Sequence, residues 1–286
     1  MSKGKFDPII PVVDDGLIIP EVGAWAETKY KLLGGYCEIF TTGMKNLWDN
    51  LVYVDLFAGA GYAKIKETNK IRMTSALIAM SVTHKFNKYI LCEKDEANFN
   101  ALQERVKRHF PKLIDKVQFI KGDSNENIDD ICSAIPKHSK DEKVLRFCFV
   151  DPFSLNLKFK TIKRLSQVGK IDFLILLALY MDANRNLIYY INDRSKKVEE
   201  FIDDPNWRTP FVNGEIPIND FIKFLAEKYD KNMKSIDYKE PVKKHQVKID
   251  GINVPLYYLA FYSKHERGND FYQKVERYLS DQQSLF

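Results

Sequence analysis

A chain of 286 residues, 45% hydrophobic and 29% charged, is long enough to bury a sizeable core, which excludes a disordered or fibrous class. Its formal charge of +5, from 44 basic and 39 acidic side chains, permits a nucleic-acid partner without requiring one. The longest apolar run, "IDFLILLALYM" from Ile171, is too short to span a bilayer, and the N-terminus lacks the apolar stretch of a secretory signal.

In chain order, "WAETKYKLLGGYCEIFTTGMKNLW" predicts one or two helices packed against a sheet edge, so residues 1–50 read as an N-terminal helical extension. From Leu51 to Tyr180, short β-rich runs alternate with helical ones. "LVYVDLF" is the first strand, and its helix, "TSALIAMSVTHKF", is delayed to Thr74, where Thr74 or Ser75 can cap it. "KYILCEKD" is a second strand, followed by the helix "EANFNALQERVKRHF", acidic at its start and basic near its end. "KVQFIKGD" is a third strand before a helical "NENIDDICSAI". "VLRFCFVDPF" is a fourth before the helix "KFKTIKRLSQVG", and "IDFLILLALY" is a fifth. Several of these strands are apolar on both faces, as strands covered by helices on both sides must be. The pattern is a Rossmann-like doubly wound α/β sheet.

After Tyr180 the rhythm changes. "NRNLIYYINDRSKKVEEFID" and "INDFIKFLAEKYDKNM" read as helices, making 181–240 a helical insertion within a domain spanning 51–286. "HQVKIDGINVPLYYLAFYSKH" reads as two β-runs around a "DGINVP" turn, and "DFYQKVERYLS" as a last helix. Cys37, Cys92, Cys132 and Cys148 form no CxxC pair and read as reduced core residues of a cytoplasmic protein. The five histidines show no metal-ligand spacing, so no metal site is expected.

Ligands of an open parallel sheet sit beyond the carboxyl ends of its strands. Strand one ends in Asp55 before Gly59 and Gly61, and strand two in Glu93, with Asp95 just after. Strand three ends in Asp123-Ser124 and strand four in Asp151-Pro152-Phe153. Four strands thus bring a carboxylate each to one edge. Glycines allow close backbone approach, Glu93 suits paired ribose hydroxyls, Asp123 an exocyclic amine and Asp55 a cationic head. Four acids would repel a pyrophosphate, so the set fits adenosine carrying an ammonium. Any one of these acids is as readily a helix N-cap; it is the group of four that favours a ligand. The dinucleotide fingerprint fails, because Lys64 stands where its third glycine belongs, and there is no GxxxxGK[ST] loop.

The series "DLFAGAG", "CEKD", "KGD" and "FVDPF" resembles the motifs of class I S-adenosylmethionine-dependent methyltransferases. With "SALIAM" and "YYLAFYSKHERGNDFY" added, most of the chain resembles the three-Cys-motif partner protein (TcmP) family. The resemblance implies a seven-stranded sheet with its last strand antiparallel, S-adenosylmethionine as cofactor, and a three-Cys-motif protein as partner. It puts Asp55, Gly59 and Gly61 around the cofactor's methionine part, Glu93 at its ribose, and Asp123 and Ser124 at its adenine, with Phe57 and Lys94 also among the cofactor-binding residues. Asp151 then orients a target amine and Phe153 packs on its ring. "DPFS" lacks the second proline of the DNA amino-methylating motif and is similar to the "DPFG" of tRNA guanine-methylating enzymes, which suggests a nucleic-acid or nucleobase amine as acceptor. Two other readings stay open: a cofactor-binding, non-catalytic subunit of a larger complex, and a metal-dependent nuclease-like domain. Phe153 as a core aromatic, and Tyr62 as either a cofactor cover or a surface tyrosine, also stay open.

Overall fold

Seven strands form the central sheet: β1 (Asn50–Asp55), β2 (Lys88–Glu93), β3 (Val117–Lys121), β4 (Val144–Val150), β5 (Ile171–Leu177), β6 (His245–Ile249) and β7 (Val254–Tyr262). The computed structural model describes residues 6–192, 195–239, 241, 244–249 and 254–283. The strand order is β3-β2-β1-β4-β5-β7-β6, and β7 runs antiparallel to both its neighbours while the β3-to-β5 strands are parallel. That is the topology of the class I methyltransferases. The "DGINVP" turn expected between the last two strands falls largely on 250–253, outside the described residues.

Alternation along β1 explains the two-sided burial. Val52 and Val54 enter the core on one face and Tyr53 that on the other, as a side-chain period of two requires. One face is covered by α1 (Ala26–Met44), α2 (Ser75–Ser81), α3 (Glu96–His109) and α10 (Glu266–Gln283). The other carries α4 (Ile128–Ala134) and α5 (Phe159–Ser166), then α6 (Leu187–Asn192), α7 (Lys197–Ile202), α8 (Thr209–Val212) and α9 (Phe221–Ser235), of which α6 to α9 lie in sequence between β5 and β6. All four cysteines are buried and free.

Four local features differ from the sequence reading. The N-terminal stretch gives a single helix, α1, on the face of the sheet and not at its edge: the Tyr36 ring lies 4.6 Å from Phe147 and 4.7 Å from Phe261. Gly34-Gly35 does not break this helix. A Cβ on Gly34 would meet Pro8 at 2.3 Å and one on Gly35 would meet Val275 at 2.8 Å, so the pair serves close packing. Second, the delay before α2 is filled by a hairpin of Tyr62–Ile65 and Ile71–Met73, whose turn places Asn69 at φ 57. Pro11–Val12 and Glu21–Val22 flank that hairpin, making a four-stranded second sheet. Third, α2 starts after Thr74 as expected, but no side-chain cap forms; the Thr74 N–H donates to the Gly61 carbonyl at 2.8 Å. Fourth, β5 stops at Leu177, and Leu179–Asn184 is a π-helical turn. There the buried Asp182 accepts hydrogen bonds from Leu155 N–H, Asn186 and the Tyr190 hydroxyl, which anchors the loop after β4.

Candidate active site

The four strand-end acids line up along one edge in the order Asp123, Glu93, Asp55, Asp151, because β3, β2, β1 and β4 are adjacent and in register. Asp55 pairs with Leu91 of β2 and Phe149 of β4, while Glu93 pairs with Lys121 of β3. The strand order reverses between β1 and β4, the point at which open α/β sheets open a ligand crevice.

Asp55 is fully buried. It accepts from the Tyr53 hydroxyl at 2.9 Å and from the Phe57 N–H at 3.2 Å. Burial raises its pKa to about 7, against the opposing pull of hydrogen bonds from Ser75, Tyr53 and Phe57. It therefore holds the turn after β1 in shape from beneath. Phe57 contributes its backbone to that turn, and its partly buried ring packs against the core.

The two glycines do different work. Gly59 has φ 64, and an added Cβ would meet nothing within 4 Å, so its bare backbone faces open space. Gly61 has φ 86, and its Cβ would press on Leu77 at 3.1 Å and Leu102 at 3.2 Å. Gly59 borders open space; Gly61 packs the loop onto α2 and α3.

Glu93 ties the glycine loop to β2. Its Oε2 accepts from the Gly59 N–H and its Oε1 from the Asp95 N–H, each at 2.8 Å. A carboxylate has about four lone-pair sites, so both oxygens keep capacity for hydroxyl donors. Asp95 is a helix cap, accepting from Asn98 N–H at 2.8 Å. Lys94 is largely exposed and reaches Asp123 Oδ2 at 3.1 Å. Burial by itself would raise the Asp123 pKa, yet hydrogen bonds from Asn125 and Lys94 outweigh it and leave the group below its ordinary value. Ser124 is buried, and its Oγ has no hydrogen-bond partner among the described residues. An orphaned buried hydroxyl in the loop directly after β3, next in sequence to Asp123, is compatible with an adenosyl group at this edge.

Asp151, directly after β4, pairs with Lys29 of α1, a partner that sequence reading missed: Nζ lies 2.5 Å from Oδ2. Nothing in the local pattern of α1 could have revealed it, because the contact joins residues 122 apart. Phe153 is 84% exposed, which removes the core-aromatic reading. Tyr62 is no surface residue either. It is buried, with its hydroxyl 2.5 Å from His109 Nε2 and the Arg105 guanidinium 4.1 Å above its ring. Among the described residues, no group of three or more His, Cys, Asp or Glu is placed to hold a metal ion, and no helix is long and apolar enough to cross a membrane.

No family model and no curated protein matches the chain. Among solved structures it is similar to a precorrin-6y C5,15-methyltransferase from Geobacter metallireducens, at 11% identity over 91% of this chain and 100% of that one, TM-score 0.44. The O-methyltransferase from Bacillus cereus in complex with SAH is 8% identical over 81% and 80%, TM-score 0.44. The TYW2 protein from P. horikoshii in complex with MeSAdo is 16% identical over 91% and 73%, TM-score 0.42. With scores this low, it is the strand order and not these likenesses that fixes the fold.

Proposed function

We propose that this chain is an S-adenosylmethionine-dependent methyltransferase acting on an amine of a nucleic acid or nucleobase. The observation that carries the reading is the row of strand-end acids beside the open face of Gly59, on the edge where this topology binds ligands. Gly59 gives the cofactor's methionine part room, Glu93 takes ribose hydroxyls on its remaining lone pairs, and Asp123 with the orphaned Ser124 hydroxyl meets the adenine. Asp55 supports the loop from below, and Gly61 holds it against α2.

S-adenosylmethionine supplies a methyl group on a sulfonium, which is already a good leaving group. The protein's remaining task is to position and desolvate the acceptor. Asp151 accepts a hydrogen bond from the acceptor amine, and Phe153, exposed beside it, offers a flat face for a base. The four buried free cysteines support a reducing, cytoplasmic setting. Motif similarity alone supports membership of the three-Cys-motif partner family, the protein partner that name implies, and the reading of 181–240 as an inserted helical block for substrate recognition.

Transfer of radiolabelled methyl from S-adenosylmethionine into a lysate tests the reading. Label should enter the nucleic-acid fraction and fall about a hundredfold or more with Asp151→Ala, while cofactor binding is retained. Label unaffected by that change, or found only in protein, contradicts it. Cofactor binding with no transfer at all would favour the non-catalytic subunit.

A further inference from the structure

The acid assigned to the acceptor is not free. Lys29 Nζ donates to Asp151 Oδ2, and the two side chains are only 6% and 18% exposed. The ammonium also lies 5.3 Å from the Trp25 ring centroid and 5.2 Å from that of Tyr30, so aromatic rings flank it. Tyr257 of β7 completes the cluster, its ring meeting Trp25 edge-on at 5.4 Å. The Tyr257 hydroxyl is buried with no hydrogen-bond partner among the described residues. Its pKa is pushed well above the ordinary value, by burial first and then by Asp151.

Each of these features is unfavourable without a ligand. Burying an ion pair costs desolvation that the pairing hardly recovers. A buried hydroxyl left without a partner keeps its desolvation cost uncompensated. Both costs fall at the same place, on the ligand-binding edge beside the glycine loop.

The chemistry of the cluster narrows what it can receive. The pair is neutral overall: Asp151 keeps acceptor lone pairs, Lys29 keeps N–H donors beyond the one given to Asp151, and Tyr257 offers an O–H. A cationic amine brought to Asp151 would share that carboxylate with the Lys29 ammonium, whose repulsion largely cancels the attraction of the acid. A neutral heteroaromatic amine meets no such repulsion. Its N–H donates to Asp151, and the ring nitrogen or carbonyl beside that amine accepts from Lys29 or Tyr257. Resting on the methyltransferase reading, we propose that Lys29 and Tyr257 are specificity-determining residues, selecting a neutral amino-substituted ring of the nucleobase type and rejecting cationic amines such as lysine side chains.

The test is a binding measurement on protein saturated with S-adenosylhomocysteine, which keeps nucleosides out of the cofactor site. Cytidine, guanosine and adenosine are titrated separately with tryptophan fluorescence as readout, and Trp25→Phe identifies the reporting ring. At least one nucleoside should bind saturably, and a lysine-rich peptide should not. Lys29→Met and Tyr257→Phe should each weaken that nucleoside tenfold or more at unchanged S-adenosylhomocysteine affinity, with Lys29→Arg retaining part of it. Tyr257→Phe removes one unpartnered oxygen and keeps the packing, so it decides the matter even if Lys29→Met fails to fold. No nucleoside binding, equal binding by wild type and Tyr257→Phe, or preferential binding of the peptide overturns the proposal. Failure of the wild type to bind S-adenosylhomocysteine removes the methyltransferase reading itself, a distinguishable result.

Discussion

At the scale of single residues, Gly59 and Gly61 separate the proposed ligand contact from packing. Gly59→Ala places its methyl in open space, so the expected stability loss is the backbone term alone, about 1–2 kcal/mol for a non-glycine residue in left-handed geometry. Its affinity for S-adenosylmethionine should nevertheless fall at least tenfold. Gly61→Ala adds crowding against Leu77 and Leu102 to that backbone term and should cost more than Gly59→Ala in urea unfolding, by up to about 1 kcal/mol. Equal stability losses for the two variants would contradict the distinction. The sequence showed both glycines, but not which one borders open space, because that depends on α2 and α3 closing over Gly61. The acids were legible for a similar reason of locality, since each simply ends an apolar run. Their partners were not: Lys29 and Ser75 reach them across the fold.

Asp172, at the opposite end of β5, gives a pH prediction. It is buried and accepts from the Tyr36 hydroxyl at 2.8 Å. Burial raises its pKa from 3.8 to about 6, partly offset by hydrogen bonds from Ser263 and Tyr36. The folded state therefore holds this proton more tightly than the unfolded state does. The penalty of the buried charge is absent below about pH 4, grows as pH rises toward 6 and is complete above that. Asp172→Asn should remove it, raising stability at pH 7 by up to about 3 kcal/mol and leaving it unchanged near pH 3. Urea midpoints at the two pH values check this, and a loss at pH 7 would contradict it.

At the scale of elements, Arg105 of α3 joins the N-terminal segment to the glycine loop. Its guanidinium forks onto Asp15 at 2.7 and 2.9 Å and donates to the carbonyls of Ile18 at 2.9 Å and Ala60 at 2.8 Å. Asp15 is held below the ordinary carboxylate range, chiefly by its hydrogen bond to Arg105. Arg105→Met should cost about 3–5 kcal/mol, since Asp15 loses its charge partner and two carbonyls lose a donor. Arg105→Lys should recover little, because an ammonium cannot make the fork. Full stability of the lysine variant in urea would contradict this. Elements with strong periodicity, such as β1, β2, α3 and β5, were readable from sequence alone. The two-residue strands Pro11–Val12 and Glu21–Val22 were not, because strands that short carry no alternation and exist only by pairing with the Tyr62–Met73 hairpin.

Across the whole molecule, the two ends of the sheet differ. The carboxyl edge of its parallel strands carries the acids, the glycine loop and the Lys29–Asp151 pair. At the other edge a cavity of about 600 Å3 is lined by Trp48, Phe40, Phe271, Asp172 and Lys170 among others. Five strands were legible from the alternation of strands and helices and two more from the terminal β-runs, while the seven-stranded sheet with an antiparallel last strand came from the family resemblance; the route of α1 across the sheet face was not legible, since amphipathicity names a buried side but not what it covers. All of the functional assignments depend on the carboxyl edge binding S-adenosylmethionine. Calorimetric titration of the folded wild type with S-adenosylmethionine is the most direct test. Saturable binding of one cofactor per chain, weakened at least tenfold by Gly59→Ala and by Glu93→Ala, is the expected result; no binding by the folded wild type would contradict it.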